Sequence, residues 1–275
     1  MSSTVILVRR HRLAAFFVLA YVLAWAPWPL SAAGVVPGSF AFFAGAPLVA
    51  AVVVIGIAEG RPGYRELLSR LLRWRVGWTW YVVAVGLPAA MVLVTGLANT
   101  WFGAPAPDLA GIAWTEVVLV LALRMVNPGD GALGEEPGWR GFALPHLQAR
   151  WSPLASATVL GVLTAGWHIP LVALGDLTWI GLPTTVVITF LYVWLFDRTG
   201  GSLLLVMLFH ASQGALTYGM LGFEGADARR LDVLYLAVVT LAVAATITLD
   251  RGAWRTASPS AVAAPREPAP VAARS

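Results

Sequence analysis

An all-α bundle of membrane-spanning helices is the fold this sequence predicts, and three observations predict it. Of the 275 residues, 59% are hydrophobic and 12% are charged, about half the roughly 25% charged share of an ordinary soluble domain. The mean hydropathy is +0.77, which leaves too little polar surface to cover a water-facing exterior. The apolar residues fall in runs of about 20, the length of helix that crosses a hydrocarbon core, where a helix satisfies every backbone group within its own segment.

Eight such runs follow in order: 13–30, 41–58, 78–98, 111–126 with an extension described below, 155–174, 179–196, 202–221 and 231–249. The first has a basic flank, as a signal peptide does, but its uncharged stretch exceeds the roughly 7 to 15 residues of a signal-peptide core, so it reads as a span. The arginines set the orientation. Arg9, Arg10 and Arg12 precede the first run, and Arg61, Arg65, Arg70, Arg73 and Arg75 lie between the second and third. Arg140 and Arg150 precede the fifth, Arg198 follows the sixth, and Arg251 and Arg255 follow the eighth. Every second loop is therefore basic. Of the remaining loops, one alone holds arginines, Arg229 and Arg230, and it also holds Glu224 and Asp227. The expectation is a multi-pass protein of the cell membrane with both termini cytoplasmic. Residues 1–255 read as one transmembrane domain, and 256–275, rich in Ala, Pro and Ser, as a disordered cytoplasmic tail. The chain has no internal repeat. Trp25, Trp28, Trp78, Trp80, Trp151 and Trp179 sit towards run ends, as an interfacial belt does.

The absence of cysteine excludes disulfides and thiol catalysis. There is no His-Glu-x-x-His pair, no Gly-x-Ser-x-Gly elbow and no pair of aspartates within apolar runs. What remains is Gly134-Glu135-Glu136-Pro137-Gly138-Trp139-Arg140-Gly141-Phe142, which concentrates charge in a chain that otherwise avoids it. Ionisable groups at membrane depth are costly and usually functional. The run 111–126 breaks at Asn127-Pro128-Gly129-Asp130-Gly131 and resumes amphipathically from Glu135 to Gln148, which reads as a helix broken where irregular backbone lines a cavity. Glu135 lies 13 residues before Gln148, and His168 lies 13 after Ala155. A tight turn at Trp151-Ser152-Pro153 would then bring both to about 20 Å depth at 1.5 Å per residue. His210, eight residues after Ser202, comes about 12 Å deep by the same count, and tilt of its helix carries it to the same cavity.

Spacing separates the two glutamates. Glu136 and Arg140 are i,i+4 and form an ion pair, whereas Glu135 is turned about 100° away and is the better general base for water. Its position at a helix start favours the carboxylate, while apolar surroundings oppose it. Glu116 and Arg124, eight apart in the fourth run, read as a structural charge pair first and a pathway element second. His146 and His11, near basic ends, read as interfacial.

The Glu135-Glu136-x-x-x-Arg140 motif, Trp167-His168-Ile169-Pro170 and Phe209-His210-Ala211-Ser212 together resemble the ordered motifs of the CPBP intramembrane proteases, the group of CAAX prenyl endopeptidases and Abi bacteriocin-processing proteins. The resemblance covers residues 117–221. It implies that Glu135 and His168 activate the attacking water, that His210 stabilises the oxyanion, and that Glu136 and Arg140 support the site. Two positions depart from the family pattern. Thr164 stands where Phe is usual, four residues before the first motif histidine, and Gly214 stands where Asn is usual, four after the second. An amide aimed at a developing oxyanion contributes about 3 to 4 kcal/mol of barrier lowering, so the glycine leaves a deficit that Gln213 or Ser212 would have to fill.

The chemistry requires no cofactor in the favoured reading. Glu135, His168 and His210 also make a three-ligand set for a divalent metal such as zinc with an open water position. The expected partners are a lipid bilayer and a peptide or membrane-protein substrate, such as a lipidated tail, a leader peptide or a membrane segment, and no nucleic acid. The family branch it most resembles is bacterial, where prenylated CAAX tails are not expected. The cavity is expected to open towards the cytoplasmic leaflet. The rival readings are a non-catalytic scaffold or bacteriocin-immunity protein of the same fold, which Gly214 favours, and a transporter using the same charges as a proton relay.

Overall fold

The computed structural model describes residues 3–129 and 131–256; the rest of the expected tail, 257–275, lies outside the described residues. The described residues contain helices and no strands. A helix α1 (Ser3–Arg10) leads to α2 (Arg12–Trp25) and α3 (Pro27–Ala32), followed by α4 (Ala46–Ala58), α5 (Arg61–Leu71) and α6 (Trp78–Trp101). After α7 (Trp114–Val126) comes α8 (Gly131–Glu136), a π-helical segment (Pro137–Ala143) and α9 (Leu144–Gln148). The chain continues through α10 (Pro153–Trp167), α11 (Ile169–Leu174), α12 (Gly181–Arg198), α13 (Leu203–Ala215), α14 (Gly225–Leu249) and α15 (Arg251–Arg255).

Each of the eight apolar runs contains a helix. Six stretches are long and apolar enough to cross a membrane: Arg12–Ala32, Trp78–Trp101, Trp114–Gln148, Pro153–Leu174, Leu203–Leu221 and Gly225–Leu249. The other two expected crossings are the 13-residue α4 and the 18-residue α12, which ends on Asp197 and Arg198. Run 41–58 is helical only from Ala46, because Gly45 and Pro47 set a new helix start there. The last helix begins at Gly225, earlier than its apolar run, so that Asp227, Arg229 and Arg230 are helical and not loop residues. Arg230 pairs with Asp227 in the first turn and donates to Asn99 Oδ1 at 2.7 Å. Hydropathy marks where the lipid-compatible part of a helix starts, whereas such polar pairs extend the helix beyond it.

Contacts among the chain ends gather the arginine-rich segments at one end of the bundle. Glu59 accepts from Arg12 at 3.3 Å and lies 3.0 Å from His146 Nε2. Burial alone would raise the Glu59 carboxyl, but hydrogen bonds and charge from His146 and Arg12 outweigh it, and its pKa is lowered from the ordinary value. Gln148 donates to Asp197 at 2.8 Å, Arg198 meets Asp250 at 2.8 Å, Ser202 donates to the Arg73 carbonyl at 2.6 Å, and Arg73 reaches the Gly200 carbonyl. Arg70, 3% exposed, donates to the Gly141 carbonyl at 2.7 Å. The exposed Trp78, Trp151 and Trp179 lie at helix ends, as expected of an interfacial belt.

Helix α4 and the acidic motif meet backbone to backbone. A Cβ added at Gly138 would lie 2.5 Å from the Pro47 carbonyl oxygen, and one at Gly134 would lie 2.9 Å from the Pro128 carbonyl oxygen and 3.1 Å from Gly45 Cα. Small residues permit this approach between helices that have no hydrophobic drive to associate in lipid. Gly138→Val is therefore expected to push α4 off the motif. Overpacking of a tight core costs about 1–3 kcal/mol, which a thermal-shift measurement on the purified variant would detect; an unchanged transition would show that this contact yields freely.

Candidate active site

The acidic motif is held by its own aromatic letters. Trp139, fully buried, packs edge-on to Phe16 and Trp167 with both centroid distances 5.5 Å, and Phe142 lies 5.1 Å from Phe16. Trp167 donates from Nε1 to the Ala20 carbonyl at 3.2 Å. These rings fix the motif and the start of the His168 element against α2. Between them the ladder shifts register: Pro137 cannot donate a backbone N–H, and residues Pro137–Ala143 adopt the π pattern, a wider turn often found at functional sites.

The five residues expected from the sequence, Glu135, Glu136, Arg140, His168 and His210, all line one cavity of about 1130 Å³. Glu136 is fully buried and its Oε1 serves two partners, Arg140 Nη1 at 3.0 Å and His210 Nδ1 at 2.7 Å. The expected i,i+4 pair is present, and the link to His210 is an addition that no local spacing reveals. Beside a carboxylate, Nδ1 is the protonated nitrogen of His210, which leaves Nε2 for other partners. Arg140, 3% exposed, lies inside the bundle and not in the basic loop to which the sequence assigned it. Its guanidinium sits 4.2 Å from the centre of the Tyr192 ring and donates to Thr189 Oγ1 at 3.4 Å. Glu135 is 8% exposed, under the charges of Glu136, Arg140 and Arg124.

His168 closes the C-terminal end of α10, and its Nδ1 lies 2.8 Å from the Thr164 carbonyl. Only an N–H can bond that oxygen, so in the neutral imidazole Nε2 carries the lone pair. Because the partner is backbone, the Phe-to-Thr departure at 164 leaves the bond in place. The Thr164 side chain is 3% exposed and faces the same cavity. Of the two stand-ins considered for Gly214, Gln213 lines the cavity and accepts the Tyr192 hydroxyl at 3.3 Å, whereas Ser212 is fully buried and is not part of the lining. Arg124, read from the sequence as half of a pair with Glu116, also lines the cavity, while Glu116 is exposed in the first turn of α7.

Among the described residues no three His, Cys, Asp or Glu side chains come together as metal ligands. His168 and His210 each meet a protein oxygen at Nδ1, which leaves Nε2 of both for another partner.

The exposed lining residues are Gly38 and Ser39, Gly129, Asp176 and Thr178, and Thr217 and Gly219. No lining residue comes from the arginine-rich end, which the Gln148–Asp197 and Arg73–Gly200 contacts tie shut. The exposed lining residues therefore lie away from the arginine side on which the opening was expected, at the opposite end of the bundle and, at Gly129, beside the break between α7 and α8. Sequence reasoning gave depths along each helix, but the side on which helices spread apart depends on which ends are bonded together.

A polytopic helical protein whose cavity gathers carboxylates and imidazoles carries the groups an intramembrane hydrolase would use. Residues 113–216 match the family model of type II CAAX prenyl endopeptidases, Rce1-like. A CAAX prenyl protease 2 of Methanococcus maripaludis is 25% identical over 186 residues, covering 60% of this chain. The matched region spans 66% of that relative's length. Over this region the chain is similar to the Rce1-like CAAX prenyl endopeptidases, which are hydrolases.

Proposed function

We propose that this protein is an intramembrane endopeptidase. The observation that carries the reading is the convergence of Glu135, Glu136, Arg140, His168 and His210, from three separate sequence motifs, on one cavity. Glu135 takes a proton from a water that His168 Nε2 orients, and the water oxygen bonds to the scissile carbonyl carbon. His210, held in place by Glu136 at Nδ1, donates from Nε2 to the oxyanion. As the C–N bond breaks, Glu135 returns the proton to the leaving amine, giving a carboxylic acid and an amine, and the acid's proton then passes to the amine or to water. Arg140 holds Glu136 for this task. These steps use Glu and His alone and pass through no metal.

The arginine-rich end faces the cytoplasm by the positive-inside bias, so both termini are cytoplasmic and the mouth opens on the other side. The substrate is then a peptide or membrane-protein segment that reaches the cavity from the non-cytoplasmic side. The lack of native cysteine makes labelling direct. Asp176→Cys in intact cells is expected to react with a membrane-impermeant maleimide, and Arg150→Cys only after lysis; reaction of both from one side would defeat this orientation. Cleavage of quenched peptides by the wild type, compared with Glu135→Gln, tests the activity itself.

A further inference from the structure

We infer that Arg124 is a catalytic residue of the site, the donor that takes the carbonyl oxygen of the scissile bond together with His210, and that Gly214 exists to admit it. This rests on the peptidase reading above. Helix α13 carries His210 and Gly214 at i,i+4, so both project from one face. A Cβ at Gly214 would overlap Arg124 Nη1, with Cζ 2.7 Å and Nε 3.1 Å from the same point. The guanidinium therefore fills the volume that a side chain at 214 would occupy, on the wall that also holds His210.

The stem of Arg124 is held as well as its head. Its Cγ and Cβ lie 3.2 and 3.3 Å from where a Cβ on Gly131 would stand, and Gly131 has φ +64°. That left-handed turn opens the helix bearing Glu135, so the arginine is clasped between two glycines on either side of the acidic motif. Its charge acts on Glu135, which places donor and base in one field. A planar guanidinium offers up to five N–H donors in a fixed fork and remains charged at any working pH. Charge-assisted donors aimed at developing negative charge are the strong kind, and each contributes most where charge appears only in the transition state. The glycine at 214 then marks a donor supplied from α7 in place of one on α13.

The test uses full-length protein in lipid nanodiscs and a pool of internally quenched apolar peptides. Arg124→Gln is expected to lower kcat by about a hundredfold, the usual effect of one oxyanion donor, with KM nearly unchanged. Gly214→Ala keeps the charge of Arg124 but forces Nη1 out of its present position, and it is expected to lower kcat, by a smaller factor than Arg124→Gln because the flexible side chain can shift. Because Gly214→Ala leaves the composition of charges intact, it decides the matter if Arg124→Gln does not fold. The double variant Arg124→Gln/Gly214→Asn sets an amide in the vacated volume and is expected to regain about tenfold over Arg124→Gln. Unchanged kcat in both single variants overturns the inference, as does a rise in KM at constant kcat, which would make Arg124 a substrate anchor. Cleavage that persists undiminished in Glu135→Gln, or a wild type that cleaves no peptide of the pool, overturns the peptidase reading and the inference with it.

Discussion

Glu135→Gln is expected to lower kcat by about 10² to 10⁴, the usual contribution of a positioned general base, while leaving the protein folded and inserted. The substitution keeps the shape of the side chain and removes only its capacity to accept a proton. It also removes a charge that is 8% exposed, so thermal stability should hold or rise, since an ionised carboxylate in apolar surroundings is costly. His168→Ala and His210→Ala should remove most activity too, but with different structural consequences. His168 Nδ1 bonds the Thr164 carbonyl on its own helix, whereas loss of His210 takes a partner from the fully buried Glu136. His210→Ala should therefore also lower the melting temperature. Near wild-type turnover in all three variants would remove the proposed site.

Arg140→Ala is expected to have the largest effect on stability. Glu136 would keep its buried charge and lose the guanidinium at 3.0 Å, and Tyr192 would lose the cation over its ring. Breaking a buried pair from one side costs about 3–5 kcal/mol, which corresponds to a fall in melting temperature on the order of 10 °C for a domain of this size. Glu136→Gln/Arg140→Met, which removes both charges and fills the arginine's volume, should recover much of that loss, because the penalty lies in the uncompensated charge and not in the missing attraction. Equal melting temperatures for Arg140→Ala and the wild type would show that water or another group reaches Glu136. Activity should not return in the double variant, since His210 would no longer face a carboxylate.

The pairing of Glu136 with Arg140 was legible from spacing, because i,i+4 residues on a helix are neighbours whatever the rest of the chain does. The bond from Glu136 to His210 was not, since it joins residues 74 apart and depends on how α8 and α13 pack. The same holds for Arg124. In the sequence it has Glu116 eight residues away on its own helix, and nothing local points to Gly214 as its seat. The apparent deficit at Gly214 was read one side chain at a time, whereas the structure fills the space from another helix.

What the sequence by itself determined was the solvent, the secondary structure and the identity of the chemistry-bearing residues. Long uncharged runs can only be helices in a bilayer, and charges retained at such cost stand out against them. The ends of helices were less well determined: polar pairs such as Asp227 with Arg230 extend a helix past its apolar run, and Pro137 introduces a π segment that shifts the faces of every residue after it. Only the tertiary structure decided where the cavity lining is exposed and which groups share it. Those outcomes are set by non-local contacts, the hydrogen bonds that tie the arginine-rich ends together and the glycine notches that let backbones approach, and hydropathy carries no trace of either.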